Sequence, residues 1–357
     1  MTKQHALTAV SHRVRIARPG QTTSLIMLSL SLLGTAGLPG AGQASAASRG
    51  VVLIANKGDQ NLGIIDPEAG RQVATIPEDG ITGHEVIASP DGKTAYVPIF
   101  GNSGVGKPGT DGQLIRIMDI ASRKVTGTFD FGKGVRPHCP MIGPKDGLLY
   151  VTTELESAIS VVDPRQLKLV GTVPTGQIES HMLAISRDGR RGYTANVAPG
   201  TVSVLDLEAR KTLTIIPVSG SVQRIALSPD DKLVFTSDQT KPRLAVIDTG
   251  VDAVKTWVPL PGLGYGTAAT PDGRWLLVAV PGKHQLAVVD LLTFKVAHTL
   301  DLPPAPQEVL MRPDGLAAYV SCDASAQVAA IDTTTWKVDK LIKAGRGADG
   351  LAWAPAP

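Results

Sequence analysis

The stretch Glu179-Ser-His-Met-Leu-Ala-Ile-Ser-Arg-Asp-Gly-Arg-Arg-Gly-Tyr-Thr-Ala-Asn-Val-Ala-Pro-Gly-Thr-Val-Ser-Val-Leu-Asp206 decides the fold of this 357-residue chain. It reads as an apolar strand (Met182 to Ile185), a polar turn (Ser186 to Gly189), a second strand (Gly192 to Asn196), a Pro-Gly loop and a third strand ending at Asp206; Thr212 to Val218 supplies a fourth. The turn aspartate recurs as Asp91, Asp146, Asp188, Asp230, Asp272 and Asp314, and after a first interval of 55 residues every interval is 42. One further step lands on Ala356, just past Ala354-Pro355. The aspartate that ends the third strand recurs independently as Asp66, Asp119, Asp163, Asp206, Asp248, Asp290 and Asp332. Both counts give seven units.

A period in the low forties with four strands per unit predicts an all-β protein, a seven-bladed β-propeller. One such sheet has two apolar faces and buries them only by stacking against neighbours around a ring. Blade 1 carries Asp91, and blades 2 to 6 follow in order. Val51 to Ile76 supplies strands two, three and four of blade 7, whose first strand lies at the far end of the sequence, in Ala348-Asp-Gly-Leu-Ala-Trp-Ala-Pro355. The ring is therefore expected to close by pairing the N-terminal segment with the C-terminal strand, which removes both free edges.

Residues 1–46 hold Lys3, Arg13, Arg15 and Arg18, no acid, an apolar run from Leu25 to Leu33 and then Ala44-Ser45-Ala46. That order reads as a secretory signal cleaved after Ala46, leaving a single domain over 47–357 in the periplasm or outside the cell. The apolar run is too short for a permanent membrane helix. Without these four cations the chain has 31 Lys and Arg against 32 acids. A near-neutral domain poor in aromatic residues lacks the basic face that nucleic acid needs. No charge run or amphipathic helix suggests a membrane surface, and no long apolar surface helix advertises a dimer, so a monomer is expected. Cys139 and Cys322 fall in blades 2 and 6, nearly across the ring, too far apart for the ~6 Å Cα separation of a disulfide.

Blade 1 departs from the template through Gly101-Asn-Ser-Gly-Val-Gly-Lys-Pro-Gly-Thr-Asp-Gly112. Its first eight residues imitate a phosphate loop, but Pro108 stands where a magnesium-binding Ser or Thr belongs and no helix follows, so no nucleotide is expected. A Gly-rich insertion on a rigid scaffold reads instead as a mobile flap beside a binding site. The recurrent aspartates and the Pro-Asp-Gly turns at Pro90, Pro271 and Pro313 read as structural, because a catalytic carboxylate needs no seven copies.

Function is sought where the copies disagree. Six residues before the turn proline, or before Arg187 in blade 3, stand His84, His138, His181, Gln223, Tyr265, Gln307 and Asp349. All are polar in an otherwise apolar first strand, which in a propeller is the innermost, so this register lines one mouth of the central channel. Outside the signal there are five histidines, and three of them occupy this register on successive blades. Three convergent imidazoles with a fourth position open is how catalytic zinc is held, and such ligation also suits copper, iron or nickel. The competing reading is a wet, polar mouth whose histidines bond water and neighbours. Asp349 or Glu85 is placed to act as general base, and Arg136 or Arg224 to hold an anionic substrate, with Gln223, Tyr265 and Gln307 as further ligand contacts. Glu179 and Glu308 lie equally close to the register. Since side chains alternate along a strand, some of these are expected to face a neighbouring blade.

With these residues in view, the chain from Val51 onward resembles the bacterial YVTN-repeat propellers, related to the lactonase-like seven-bladed propellers. The likeness rests on Pro137-His138, Ser89-Pro90-Asp91-Gly92, Tyr150-Val151-Thr152-Thr153, and Ile331-Asp332 followed by Lys337-Val338. The full tetrapeptide never appears; Tyr193-Thr194-Ala195-Asn196 and Leu53-Ile54-Ala55-Asn56 are partial copies. The resemblance implies the fold strongly and activity weakly, since such propellers include lactonases, haem-associated domains and binding scaffolds. Haem d1 relatives have eight blades, so no haem is expected with seven. Two functions follow as expectations: an exported, metal-assisted hydrolase of a small ester or lactone, or a non-catalytic module presenting the same mouth to a small ligand or an exported protein.

Overall fold

Alternating apolar residues commit each repeat to strands, and the balance of that alternation sets its distance from the axis. In blade 5 the second strand, Trp275–Val280, is buried along nearly its whole length, whereas outer strands such as Ala253–Pro259 of blade 4 alternate between exposed and covered residues. A strand packed on both faces reads as a continuous apolar run, and one at the rim keeps its outward positions polar. The computed structural model describes residues 49–356 and shows seven four-stranded antiparallel sheets arranged in a ring. The expected secretory segment and its cleavage point lie outside the described residues.

Closure follows the expected route. Ala348–Pro355 is the innermost strand of blade 7 and pairs with Gly50–Asn56, Val52 lying opposite Trp353 and Leu53 opposite Ala352. Asn61–Asp66 and Arg71–Pro77 complete that sheet. Between blades the sheets bury apolar clusters, one of which joins Tyr150, Val161, Met182, Tyr193, Val204 and Val234 from blades 2, 3 and 4.

The recurrent aspartates have the structural role read from the repeats. Asp66 accepts hydrogen bonds from the backbone N–H groups of Glu68 and Ala69, Asp163 from Arg165 and Gln166, and Asp332 from Thr334 and Thr335. In the first turn of blade 1 Asp91 accepts from the Ser89 hydroxyl and the Lys93 N–H, while Gly92 takes the left-handed conformation at φ 69°. Blade 4 has no glycine there, and Asp231 adopts φ 59° in its place. Asp and Asn tolerate that region better than other side chains.

The insertion in blade 1 is shorter and more firmly held than a mobile flap. The ladder between Thr94–Gly101 and Asp111–Asp119 continues into it, pairing Gly101 with Asp111. Cys139 and Cys322 are buried and unpaired. Among the described residues no helix is long and apolar enough to cross a membrane.

Candidate functional site

The three histidines meet. The ring centroids of His138 and His181 lie 3.7 Å apart with planes tilted by 33°, and His84 lies 5.6 Å from His138, edge-on. Phe100, fully buried, packs against all three at 4.8, 5.1 and 6.3 Å. The Nδ1 atoms of His138 and His181 are buried and make no hydrogen bond among the described residues. Burial is the main reason that all three imidazoles are hard to protonate. It pushes His84 down to about 4. His138 and His181 are driven well below the ordinary range, with His181 and His84 adding to the effect on His138, and Arg224 and His84 to that on His181. The cluster is therefore neutral at physiological pH. As the rings stand, no group of three or more His, Cys, Asp or Glu among the described residues is disposed to chelate a metal ion.

One residue further along the inner strands lies a second, charged ring. Arg224 is 2% exposed; its Nη1 donates to Glu85 at 2.5 Å and to Glu308 at 2.6 Å, and its Nη2 to Asp349 at 3.2 Å. Its guanidinium lies 4.9 Å from the centre of the Tyr265 ring, and its Nε is buried without a partner among the described residues. Lys57, from the loop between the second and third strands of blade 7, reaches Asp349 at 3.0 Å and Asp323 at 3.2 Å. Burial alone would raise the Asp349 carboxyl, but Lys57 and Arg224 outweigh it and hold that group below the ordinary range. Burial raises Glu85 and Glu308 in spite of Arg224, and Asp349 pushes both in the same direction.

Strict alternation along a strand would send residues such as Arg224 and Glu308 away from the channel. The inner strands avoid this through bulges: their pairing shifts between Val222 and Ile225, between Pro306 and Val309, and between Pro137 and Pro140. A bulge re-aims the side chains it carries and leaves ladder groups unpaired. Neighbouring hydroxyls take these up: Thr152 Oγ1 accepts from the Cys139 N–H and donates to the His181 carbonyl, and Ser321 Oγ accepts from the Glu308 N–H. Glu85, Arg224 and Glu308 thus meet across the channel, while Arg136 turns to Asp111 of blade 1 and to Glu154.

Arg136 is not free to hold a substrate anion as the side chains stand. Its Nε donates to Asp111 at 2.6 Å, its Nη1 to Glu154 at 3.1 Å and its Nη2 to the Lys107 carbonyl at 2.7 Å. Glu154 also accepts from the Gly106 N–H. Gly106 has φ 66°, a left-handed conformation that favours glycine, and a Cβ there would press on the Glu179 carboxylate. The insertion is anchored by Arg136 and Glu154 of blade 2. Gln223, Tyr265 and Gln307 are half-buried, and the last two border a cavity of about 490 Å³ that Gln239, Gly262–Gly264 and Lys283 help to line. Sequence reading reached the histidines and the ring register; it missed Phe100, Lys57 and the anchoring pair of Glu154 with Arg136.

No protein-family model and no curated protein sequence matches the chain. Solved structures do. Kuenenia stuttgartiensis hydrazine synthase superposes with a TM-score of 0.69 at 19% identity, over 80% of this chain and 93% of that one. A functionally unknown protein from Desulfotomaculum acetoxidans gives 0.70 at 14% identity, over 86% and 100%. Dihydro-heme d1 dehydrogenase NirN, solved in complex with DHE, gives 0.64 at 16% identity, over 89% and 78%. At such identities the likeness is one of fold, and the chain stands among the propellers on architecture alone.

Proposed function

We propose that the protein is an exported YVTN-type propeller whose mouth holds a divalent transition metal on His84, His138 and His181 and uses it to bind a small ligand. The observation that carries the reading is the meeting of three neutral imidazoles from three blades, two of them with buried nitrogens that none of the described residues satisfies. Buried polar atoms normally have partners, and neutral imidazole is the form that zinc, copper, iron and nickel take up. A metal–nitrogen bond of about 2 Å places two imidazole centres on one tetrahedral ion roughly 5 Å apart. His84 and His138, at 5.6 Å, are near that spacing. His138 and His181, at 3.7 Å, are too close, so one ring has to leave the stack by roughly 1 Å before the set can chelate. The cavity bordered by Tyr265 and Gln307, which belong to the same register as the histidines, is offered as room for the ligand, although none of the three histidines lines it.

Hydrolysis of an ester or lactone is the second reading, favoured by the coordination position that three imidazoles leave open. Such an ion would supply Lewis acidity and an activated water. The carboxylates placed to act as base are committed elsewhere, Glu85 to Arg224 and Asp349 to both Arg224 and Lys57. Binding without turnover is therefore better supported. Protein purified without a histidine tag is expected to carry, or to take up from zinc, copper, nickel or ferrous salts, about one equivalent of metal, and to lose this capacity when the three histidines become alanine with the circular dichroism unchanged. Failure to bind any of the four overturns the reading; lactone or ester turnover abolished by a chelator would promote the second.

A further inference from the structure

In several blades a three-residue turn joins the second and third strands, and its last residue changes from copy to copy: Asp59 in blade 7, Glu156 in blade 2, Ser325 in blade 6 and Lys283 in blade 5. Only in blade 5 is it a cation. Lys283 borders the cavity of about 490 Å³, whose lining holds no carboxylate and no second charged residue.

Hydrogen bonds fix the walls of this cavity. Gln239 Nε2 donates to the Gly264 carbonyl at 2.7 Å, which ties the blade 4 loop to the glycine-rich approach of blade 5. Asp238, fully buried, accepts from the N–H groups of Thr240 and Lys241 and so shapes the loop that carries Gln239. The Gly266 N–H donates to the Gln307 carbonyl at 3.0 Å, which sets Tyr265 and Gln307 on adjoining backbones. Leu263, 43% exposed, and Pro281 add apolar surface. The carboxylates of the charged ring nearby are already paired, Asp349 with Lys57 and Arg224, and Glu85 and Glu308 with Arg224. The charge of Lys283 is thus the one at this cavity that a ligand can answer. Small-molecule sites combine apolar lining with a few placed polar groups in this way.

We propose that the cavity binds a small monocarboxylate with an apolar body, its carboxylate on the Lys283 ammonium and the Gln307 amide and its body against Leu263, Pro281 and Tyr265. A single ammonium matches one negative charge, and a dianion such as phosphate would leave the second unanswered. An apolar cavity of roughly 150 Å³ accepts a benzene ring, so about 490 Å³ accepts a phenyl ring with a short acid arm. The proposal rests on the metal reading only for its choice of cavity, since the ammonium and not the ion receives the charged end.

Calorimetric titration of the protein at neutral pH, with a chelator present, compares 3-phenylpropanoate with 3-phenylpropanamide, which has nearly the same shape and no charge, and with 3-phenylpropylamine. The acid is expected to bind at least about tenfold more tightly than the amide, and the amine more weakly than either. Lys283→Met is expected to bring the acid down to the affinity of the amide and to leave the amide unchanged. Leu263→Glu, at an exposed position that the fold does not need, is expected to abolish binding of the acid by like charge. Equal affinity for acid and amide, absence of acid binding at millimolar concentration, or a Lys283→Met variant that binds the acid as the parent does would overturn the proposal. Binding of the acid only after metal is restored would also overturn it and leave the metal reading standing, whereas tight binding in chelator by a protein that takes up no metal would support it and sink that reading.

Discussion

Replacing Arg224 by methionine removes the one cation that touches carboxylates from three other blades while keeping most of the side-chain volume. At about 4 Å and an effective dielectric constant near 20, each ion pair is worth roughly 4 kcal/mol, but the mutual repulsion of Glu85, Glu308 and Asp349 and the desolvation of the guanidinium offset much of the sum. The expected loss is that of breaking a buried ion pair from one side, about 3–5 kcal/mol. In a domain of this size that lowers the melting temperature by roughly 5–8 °C. Urea unfolding followed by tryptophan fluorescence measures it, since Trp257, Trp275, Trp336 and Trp353 are distributed over four blades. Because the cost lies in uncompensated charge rather than in lost packing, adding Glu85→Gln and Glu308→Gln to Arg224→Met should restore most of the stability. A loss below about 1 kcal/mol, or a triple variant no more stable than the single one, would refute the reasoning.

Arg136→Met should release the blade 1 insertion, because one guanidinium joins Asp111, Glu154 and the Lys107 carbonyl. Amide exchange over residues 102–110 is expected to accelerate by about tenfold or more while the blade strands keep their protection, and an unchanged exchange pattern would show that other contacts hold the loop. Glu78→Gln should stabilise the protein in a pH-dependent way. Glu78 is fully buried, with one oxygen accepting from the Gly83 N–H and the other unpartnered, and burial pushes its carboxyl from 4.5 up to about 7. The fold thus holds this proton more tightly than the unfolded chain does. The penalty for ionising Glu78 is absent below about pH 4.5, grows as pH rises to about 7 and then levels off near 3 kcal/mol. Denaturation midpoints of parent and variant should converge at pH 4 and separate by pH 8; equal separation at both would exclude Glu78 as the cause.

The fold was legible because its cause is local and repeated. Each strand-ending aspartate bonds the turn that follows it, so its identity is dictated within three residues and recurs wherever the turn recurs. The ring register was legible for the same reason: counting back from a fixed turn finds the head of every inner strand, and the three histidines found in this way lie in a row, His138 between His84 and His181. Phe100, which packs that centre, belongs to the extra length that the insertion gives the second strand of blade 1, for which the other repeats offer no template. Lys57 comes from a loop position where the corresponding residues of other blades include Glu154, Pro281 and Asp323, so no repeat signal marks it.

The charged ring was hidden for a different physical reason. Arg224 meets Glu85 across 139 residues, Glu308 across 84 and Asp349 across 125, and each of these residues stands one place from, or within, a register that sequence alone reads as alternating. What turns consecutive side chains toward one channel is a bulge, and a bulge is kept by hydroxyls on adjacent strands. Thr152 does this twice, accepting from the blade 2 backbone and donating to the blade 3 backbone at His181. The threonine inside Tyr150-Val151-Thr152-Thr153, conspicuous in the sequence only as part of a repeat motif, is thus a backbone partner for the strand that carries His138 and for the strand that carries His181. The motif that marks the fold and the residues that mark the candidate site are joined by one hydroxyl group.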